Sequence, residues 1–268
     1  MNKEDLVSVI MPTYNAGKYL ADSMNSILNQ TYKNLELLIT DDASTDPTTL
    51  QLLKEYASKD ERVNILYLKE NHGAGYARNK SIERAKGRYI AFCDSDDRWT
   101  TDKLEKQIAF MNKKKCALSC ASYIIFDGET QDEIGFCTAP KKITYGMMKR
   151  DNKVGCLTAI YDVQMLGRKF FMPTIRKRQD WALFLQIIRE CKVCYAYPDK
   201  PLAYYCMRRN SISSNKMSLM KYNIAVYKEI LGFHPIKAKL YFFTLFLPTY
   251  GAKILKRKFD SYTFTHKK

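Results

Sequence analysis

The stretch FCDSDDRW, residues 92–99, sets Asp94, Asp96 and Asp97 within four positions at the end of the apolar run RYIAFC (88–93). Carboxylates this close raise one another's pKa unless a cation sits among them. The chain holds 44 Lys and Arg against 28 Asp and Glu, a net charge of +16, so an acidic turn runs against its general balance. Helix capping is a weak explanation, because Asp102 with Glu105 three positions on is the better capping box for the helix at KLEKQIAF. A calcium loop would use Asp94, Asp96 and Glu105, but it needs a glycine where Trp99 stands. A phosphatase-type nucleophile on a strand end would put Thr or Val where Arg98 lies, and would sit earlier in the chain. What remains is a divalent metal, Mg²⁺ or Mn²⁺, shared between carboxylates and a nucleotide diphosphate.

Working outward from the turn, the first hundred residues alternate strand and helix. VSVIM (7–11), LELLIT (35–40), VNILYL (63–68) and RYIAFC (88–93) have the short apolar runs of buried strands. Leu20, Met24, Ile27 and Leu28 fall at helical spacing, and helices are expected through LQLLKEYA (50–57) and from about 74 to 86. Strands separated by helices imply a mainly parallel sheet, which binds ligands at the carboxyl ends of its strands. Those ends carry PTYN, DDASTD, KENHGAG and DSDD. Beyond residue 100 the spacing predicts a helix with Leu104, Ile108 and Met111 on one face. It also predicts strands at 116–126 and 156–162 and an amphipathic helix, QDWALFLQIIREC, at 179–191.

The last 53 residues, 216–268, hold eleven Lys or Arg and two acids, +9 of the total charge. They include LYFFTLFLPTYGAKILKRK, an apolar run interrupted by Pro248 and too short to span a bilayer. Aromatic and basic residues together suit either an interfacial helix on an anionic membrane surface or a helix packed on the domain with a solvated basic face. The N-terminus has no secretory signal, so a cytoplasmic location is expected, with the tail peripheral on the inner face of the membrane. Eight cysteines with one CxxC (Cys191, Cys194) and no nearby His read as reduced thiols, not zinc ligands.

With these motifs in order, VSVIMPTYNAGKYLADSMNSILNQTYKNLELLITDDASTD and then NHGAGYARNKSIERAKGRYIAFCDSDDRW resemble the family 2 inverting glycosyltransferases of GT-A fold, of the kind that build bacterial polysaccharides. The resemblance runs from Val7 to about Trp99 and resumes weakly at QDW and at LAYYCMRRNSISSNK. It implies a GT-A catalytic domain over 1–215, with a nucleotide-binding half to residue 99, an acceptor half from 100, and a helical basic segment over 216–268. It also implies that Pro12, Thr13 and Tyr14 line the base pocket and that Asp42 accepts a hydrogen bond from the base, as uracil would give. Arg78 and Asn79 would lie by the ribose or diphosphate. Asp94 and Asp96, with Ser95 between them, would contact ribose and metal, and Asp97 would be a further metal ligand. Asp180 of QDW matches the catalytic base, with Gln179 in place of a frequent Glu. Arg208 stands where many relatives have a metal-contacting His; an Arg can bind diphosphate but cannot ligate a metal.

The resemblance thus implies a metal-dependent enzyme moving a hexosyl or N-acetylhexosaminyl group from a nucleotide-sugar donor to a glycan acceptor, lipid-linked in cell-surface polysaccharide synthesis. A noncatalytic nucleotide- or glycan-binding relative is the alternative, though both DSDD and Asp180 are present. The charge also raises nucleic-acid binding, but the candidate site is acidic and much of the positive charge lies in the tail, so no nucleic-acid partner is expected. Gly73 and Gly75 fail the dinucleotide fingerprint, since Arg78 takes the third glycine position. Trp99 and Trp181 read as core.

Overall fold

Residues 7–13 are buried on both faces, as a central strand of a parallel sheet must be. The computed structural model describes residues 5–208 and 216–266, with side chains from 220 onward in the second run. The expected boundary at 215 and part of the weak resemblance at 209–215 lie outside the described residues. The first half runs β1 (Val7–Thr13), α1 (Gly17–Leu28), β2 (Leu35–Asp41), α2 (Pro47–Lys59), β3 (Val63–Tyr67), α3 (Ala74–Arg84) and β4 (Tyr89–Phe92). The four strands pair in parallel in the order β3-β2-β1-β4, so their carboxyl ends share one edge.

The second half is less regular: β5 (Arg98–Trp99), α4 (Lys103–Lys114), β6 (Leu118–Ala121), β7 (Tyr123–Asp127), β8 (Glu133–Cys137), β9 (Lys142–Thr144), α5 (Tyr145–Arg150), β10 (Ile160–Asp162), α6 (Val163–Leu166), α7 (Gln179–Cys191), β11 (Val193–Tyr197) and β12 (Ala203–Met207). β10, β6, β11 and β9 extend the main sheet to eight strands, with β10 antiparallel to both of its neighbours. β5, β12, β7 and β8 form a second sheet. The run expected as one strand over 116–126 is two strands, in different sheets. Ser122 breaks it: its carbonyl accepts from Leu202 N–H and its hydroxyl from Ala139 N–H, so it leaves the ladder. The capping box at Asp102 does not form either. Asp102 bonds Thr100, Lys106 and Lys200, and Glu105 accepts from Thr31.

The C-terminal segment comprises α8 (Lys216–Ala225), α9 (Pro235–Tyr241) and α10 (Leu247–His266), with π turns at Val226–Ile230 and Phe242–Phe246. Pro248 does not end the helix. A proline lacks the N–H that bonds four residues back and crowds that carbonyl, and the wide turn before it supplies the room. The inner face of this arm is core: Val226, Tyr227, Ala238, Phe242 and Phe246 join the cluster that includes Trp181, Phe184 and Met148. Farther along, Phe264 stacks on Phe136 of β8. The outer face is apolar too, with Ile236, Leu240, Phe243, Leu255, Phe259 and Tyr262 each more than half exposed. Among the described residues no helix is long and apolar enough to cross a membrane.

Beneath the acidic turn, Lys103 is fully buried. Its amine lies 4.0 Å from the centre of the Trp99 ring, with no hydrogen-bond partner. Burial lowers its pKa from 10.5 to about 7. Below pH 7 the amine is charged in folded and unfolded chains alike, and the desolvation cost is constant. Between about 7 and 10.5 the unfolded chain holds a proton that the folded one has released, so stability rises with pH through that window. Lys103→Met should therefore raise the melting temperature at pH 6 and raise it less at pH 10, as read by thermal denaturation at the two pH values.

Candidate active site

The site is built where strand ends converge. At the end of β1, Thr13 is buried and its hydroxyl has no partner in the protein, whereas Tyr14 is exposed. Next to it β2 ends in two acids with different work. Asp41 accepts from the amide and hydroxyl of Ser44 and so closes its own turn. Asp42 accepts from the amides of His72 (2.8 Å) and Gly73 (2.7 Å), which ties β2 to the start of α3. Each of its oxygens keeps a second lone pair, so acceptor capacity remains for a base.

α3 carries Arg78 into the acidic turn, where its guanidinium meets Asp94 at 2.5 Å. Burial works against this charge, but Asp94, with Cys156 and Asp180 beyond, holds its pKa above the ordinary value. Its Nε is buried without a partner. Asn79, the next residue, does not face the turn. Its amide oxygen accepts from Met172 N–H (2.7 Å) and its amide nitrogen donates to Met172 C=O (2.8 Å), so it clamps the 167–178 segment instead.

Within DSDD the three acids divide. Asp94 and Asp96 are partly exposed, with Ser95 between them, and Asp97 is buried. Burial and then Asp94 raise the pKa of Asp96, against which Arg208 acts at 2.6 Å. Burial, Asp96 and Asp94 push Asp97 well up. Its Oδ1 accepts from Cys206 N–H at 2.9 Å, so it fastens β12, and thereby the second sheet, to the turn. That bond and its burial leave Asp97 less open than Asp94 and Asp96.

Asp180 comes from the other half of the chain. α7 begins after Arg178, which holds a left-handed φ of 69° and has a buried, unpartnered Nε. Gln179 packs on Gly75 at the start of α3; a Cβ at Gly75 would fall 2.4 Å from the Gln179 side chain. Only glycine permits this approach of the two helix starts. Asp180 sits in the first turn of α7 and accepts from Asn152 Nδ2 at 2.8 Å. Burial raises the pKa of the Cys156 thiol, which also lies within electrostatic range of Arg78, Asp180, Asp94 and Asp97. Neither Asn152 nor Cys156 carries a signal in the sequence, since their neighbours are distant along the chain.

Asp94 and Asp96 offer hard oxygen ligands on an open side, and no group of three or more potential ligands gathers among the described residues. Mg²⁺ and Mn²⁺ sites in nucleotide enzymes have this character, with few protein carboxylates and the remaining ligands from phosphate and water. The unpartnered hydroxyl of Thr13 and the unpartnered Nε atoms of Arg78 and Arg178 are donors of the kind an anionic nucleotide uses.

Comparison with known proteins agrees with this architecture. The chain is 44% identical over 239 residues to TuaG of Bacillus subtilis (strain 168), named for teichuronic acid biosynthesis, covering 88% of this chain and 93% of that one. It is 38% identical over 216 residues to WfgD of Escherichia coli, a UDP-Glc:alpha-D-GlcNAc-diphosphoundecaprenol beta-1,3-glucosyltransferase, covering 81% and 83%. Among solved structures, S. aureus TarS 1–349 in complex with UDP-GlcNAc superposes with a TM-score of 0.67 at 21% identity, covering 88% of this chain and 70% of that one. The mannosyltransferase PcManGT of Pyrobaculum calidifontis, in complex with GDP-Man and Mn²⁺, gives 0.66 at 17%, covering 95% and 75%. These two likenesses establish the GT-A fold. The profile of Glycosyl transferase family 2 matches residues 8–171, and the chain belongs to that family.

Proposed function

We propose that this glycosyltransferase transfers a hexosyl group from a UDP-sugar, with inversion, to a glycan carried on a polyprenyl diphosphate. The observation that carries the reading is the buried Arg78, which pairs with Asp94 of the DSDD turn at 2.5 Å and lies within electrostatic range of Asp180. The relatives' names support the substrate classes: WfgD uses UDP-Glc and a diphosphoundecaprenol-linked acceptor. Thr13 and Tyr14 at the end of β1, beside Pro12, and Asp42 would hold the base, and Asp94 and Ser95 the ribose. Asp94 and Asp96 would hold Mn²⁺ or Mg²⁺, which when bound neutralises the diphosphate's developing charge. Arg78 is fixed on Asp94 and Arg208 on Asp96, so both guanidiniums stand where a diphosphate would arrive. Asp97 stays in its buried role as the anchor of β12.

Asp180 would take the proton of the acceptor hydroxyl. As that oxygen forms its bond to the anomeric carbon, the bond from that carbon to the diphosphate oxygen breaks, and the electron pair leaves with the nucleotide. One displacement from the opposite face inverts the centre, and a leaving diphosphate that is already neutralised needs no general acid. Asn79, held on the Met172 backbone, shapes the pocket wall and takes no part in the transfer.

The outer face of the C-terminal arm extends the reading to location. Its exposed apolar residues recur at steps of three, four or eight positions, the repeat of one helix face. They are flanked by exposed Lys237, Lys239, Lys256, Arg257 and Lys258. An apolar face edged with cations suits the interface of an anionic bilayer, so the enzyme would work at the cytoplasmic membrane face, where lipid-linked acceptors reside. The inner face belongs to the core, so truncation would uncover Trp181; substitutions on the outer face test the idea cleanly.

Three outcomes follow. Asp96→Ala should abolish transfer and weaken UDP binding about tenfold or more in Mn²⁺, with little further effect in EDTA, by calorimetry; equal wild-type UDP affinity with and without metal would remove the metal site. Asp180→Asn should bind UDP as the wild type does while turnover falls ~10²-fold or more. A Leu255→Ser, Phe259→Ser double variant should co-sediment several-fold less with phosphatidylglycerol vesicles, its UDP affinity unchanged. Equal sedimentation would leave the arm as a packed helix only.

A further inference from the structure

Among the described residues Asp180 accepts from the Asn152 amide, and Asn152 lies in a stretch without regular secondary structure. What holds that stretch is the C-terminal arm. Lys253 of α10 donates to the Asn152 carbonyl at 2.5 Å and pairs with the buried Asp151 carboxylate at 3.1 Å. Lys153 pairs with the same carboxylate at 3.0 Å. One turn earlier, the Met148 carbonyl accepts from Trp181 Nε1 at 2.7 Å and the Lys149 carbonyl from Tyr227 OH at 2.9 Å. The Trp181 ring, adjacent to Asp180, packs edge-on against Tyr227 and tilted against Phe246, at 5.6 and 5.5 Å between centres. Tyr227 and Phe246 each belong to one of the two π turns. Such turns give poorer hydrogen bonds than an α-helix and persist where a side chain must be placed out of helical register.

We infer that the C-terminal arm positions the acceptor-side carboxylate: Lys253 and the two π-turn aromatics hold residues 148–153 so that Asn152 orients Asp180. This rests on Asp180 being the base. A carboxylate turns easily about its last torsion. With Oδ2 engaged by Asn152, Oδ1 is the oxygen left to face an acceptor hydroxyl, and a base must meet that proton within hydrogen-bond reach. Misplacement by 1 Å from a distant change costs as much as 10²-fold in rate. Asn152 and Lys253 are positioning residues in this scheme, because neither needs to touch substrate.

The test uses the full chain, UDP-glucose as donor, and N-acetylglucosamine on a prenyl diphosphate as acceptor. Asn152→Ala and Asn152→Asp, the second keeping the shape and losing the donor, should lower kcat about tenfold or more. Donor KM and the calorimetric affinity for UDP should stay within about twofold of wild type. Lys253→Met, at a partly exposed lysine, should show the same split with a smaller loss. A purely structural role would instead move melting temperature, donor KM and UDP affinity together, and that result overturns the inference. So does wild-type kcat in both Asn152 variants when Asp180→Asn is inactive, an outcome that leaves the base assignment standing. Near-normal turnover of Asp180→Asn removes the base assignment, and the brace falls with it.

Discussion

Three carboxylates in four residues repel one another, and the site's architecture follows from how that repulsion is met. Arg78 reaches Asp94 from α3 in the first half of the chain, and Arg208 reaches Asp96 from the end of β12. Asp97 gives up solvent for the amide of Cys206. Each answer draws on a different part of the chain, so the turn acts as the junction at which the main sheet, α3 and the second sheet are joined. The net charge of +16 makes cations abundant. Only those whose side chains reach the turn, Arg78 and Arg208, pair with it at hydrogen-bond distance, and exposed charges farther away are screened.

This arrangement leaves the turn neither saturated nor bare. Asp96 still has its pKa raised by burial and Asp94 in spite of Arg208, so negative charge at this point is only partly compensated. On the function proposed here, a metal bound to a diphosphate would supply the further cation together with its own ligands. Arg208 would then be free to meet the diphosphate, the role that separates it from a metal-ligating His at that position.

The alternation of the first half could be read from residues because β1 and β4 are buried throughout and β2 at every position but Glu36, so each appears as a largely apolar run. The acids at the strand ends were visible for the complementary reason: nothing in a buried strand explains them. From Arg98 onward the strands shrink to as few as two or three residues and pair over long separations, as Ala203 does with Trp99 and Tyr123. Residue preference is too weak to fix such pairings, and the split at Ser122 depends on partners at 139 and 202. The resemblance implied Asn79 beside the ribose or diphosphate, whereas its bonds to Met172, across 93 positions, leave no local pattern. Asn152 was invisible, since a bond between residues 28 apart leaves no local pattern.

The tail's run from α9 through α10 has two apolar faces, and its composition alone offered those faces as alternatives. Ala238, Phe242 and Phe246 face inward at steps of four residues. A regular α-helix has 3.6 residues per turn, so positions four apart drift steadily around its axis. The wider turn at Phe242–Phe246 takes up that drift, keeps Phe246 on Trp181, and relieves Pro248 in the same stroke. Because the inner positions stay aligned, the outer ones do as well, and Leu240, Phe243 and Leu247 continue toward Leu255 and Phe259 on the solvent side. On the function proposed here, the element nearest the lipid is also the one that braces Asp180. An acceptor delivered on a polyprenyl chain would then meet a base held by the same arm that turns its outer face to the lipid.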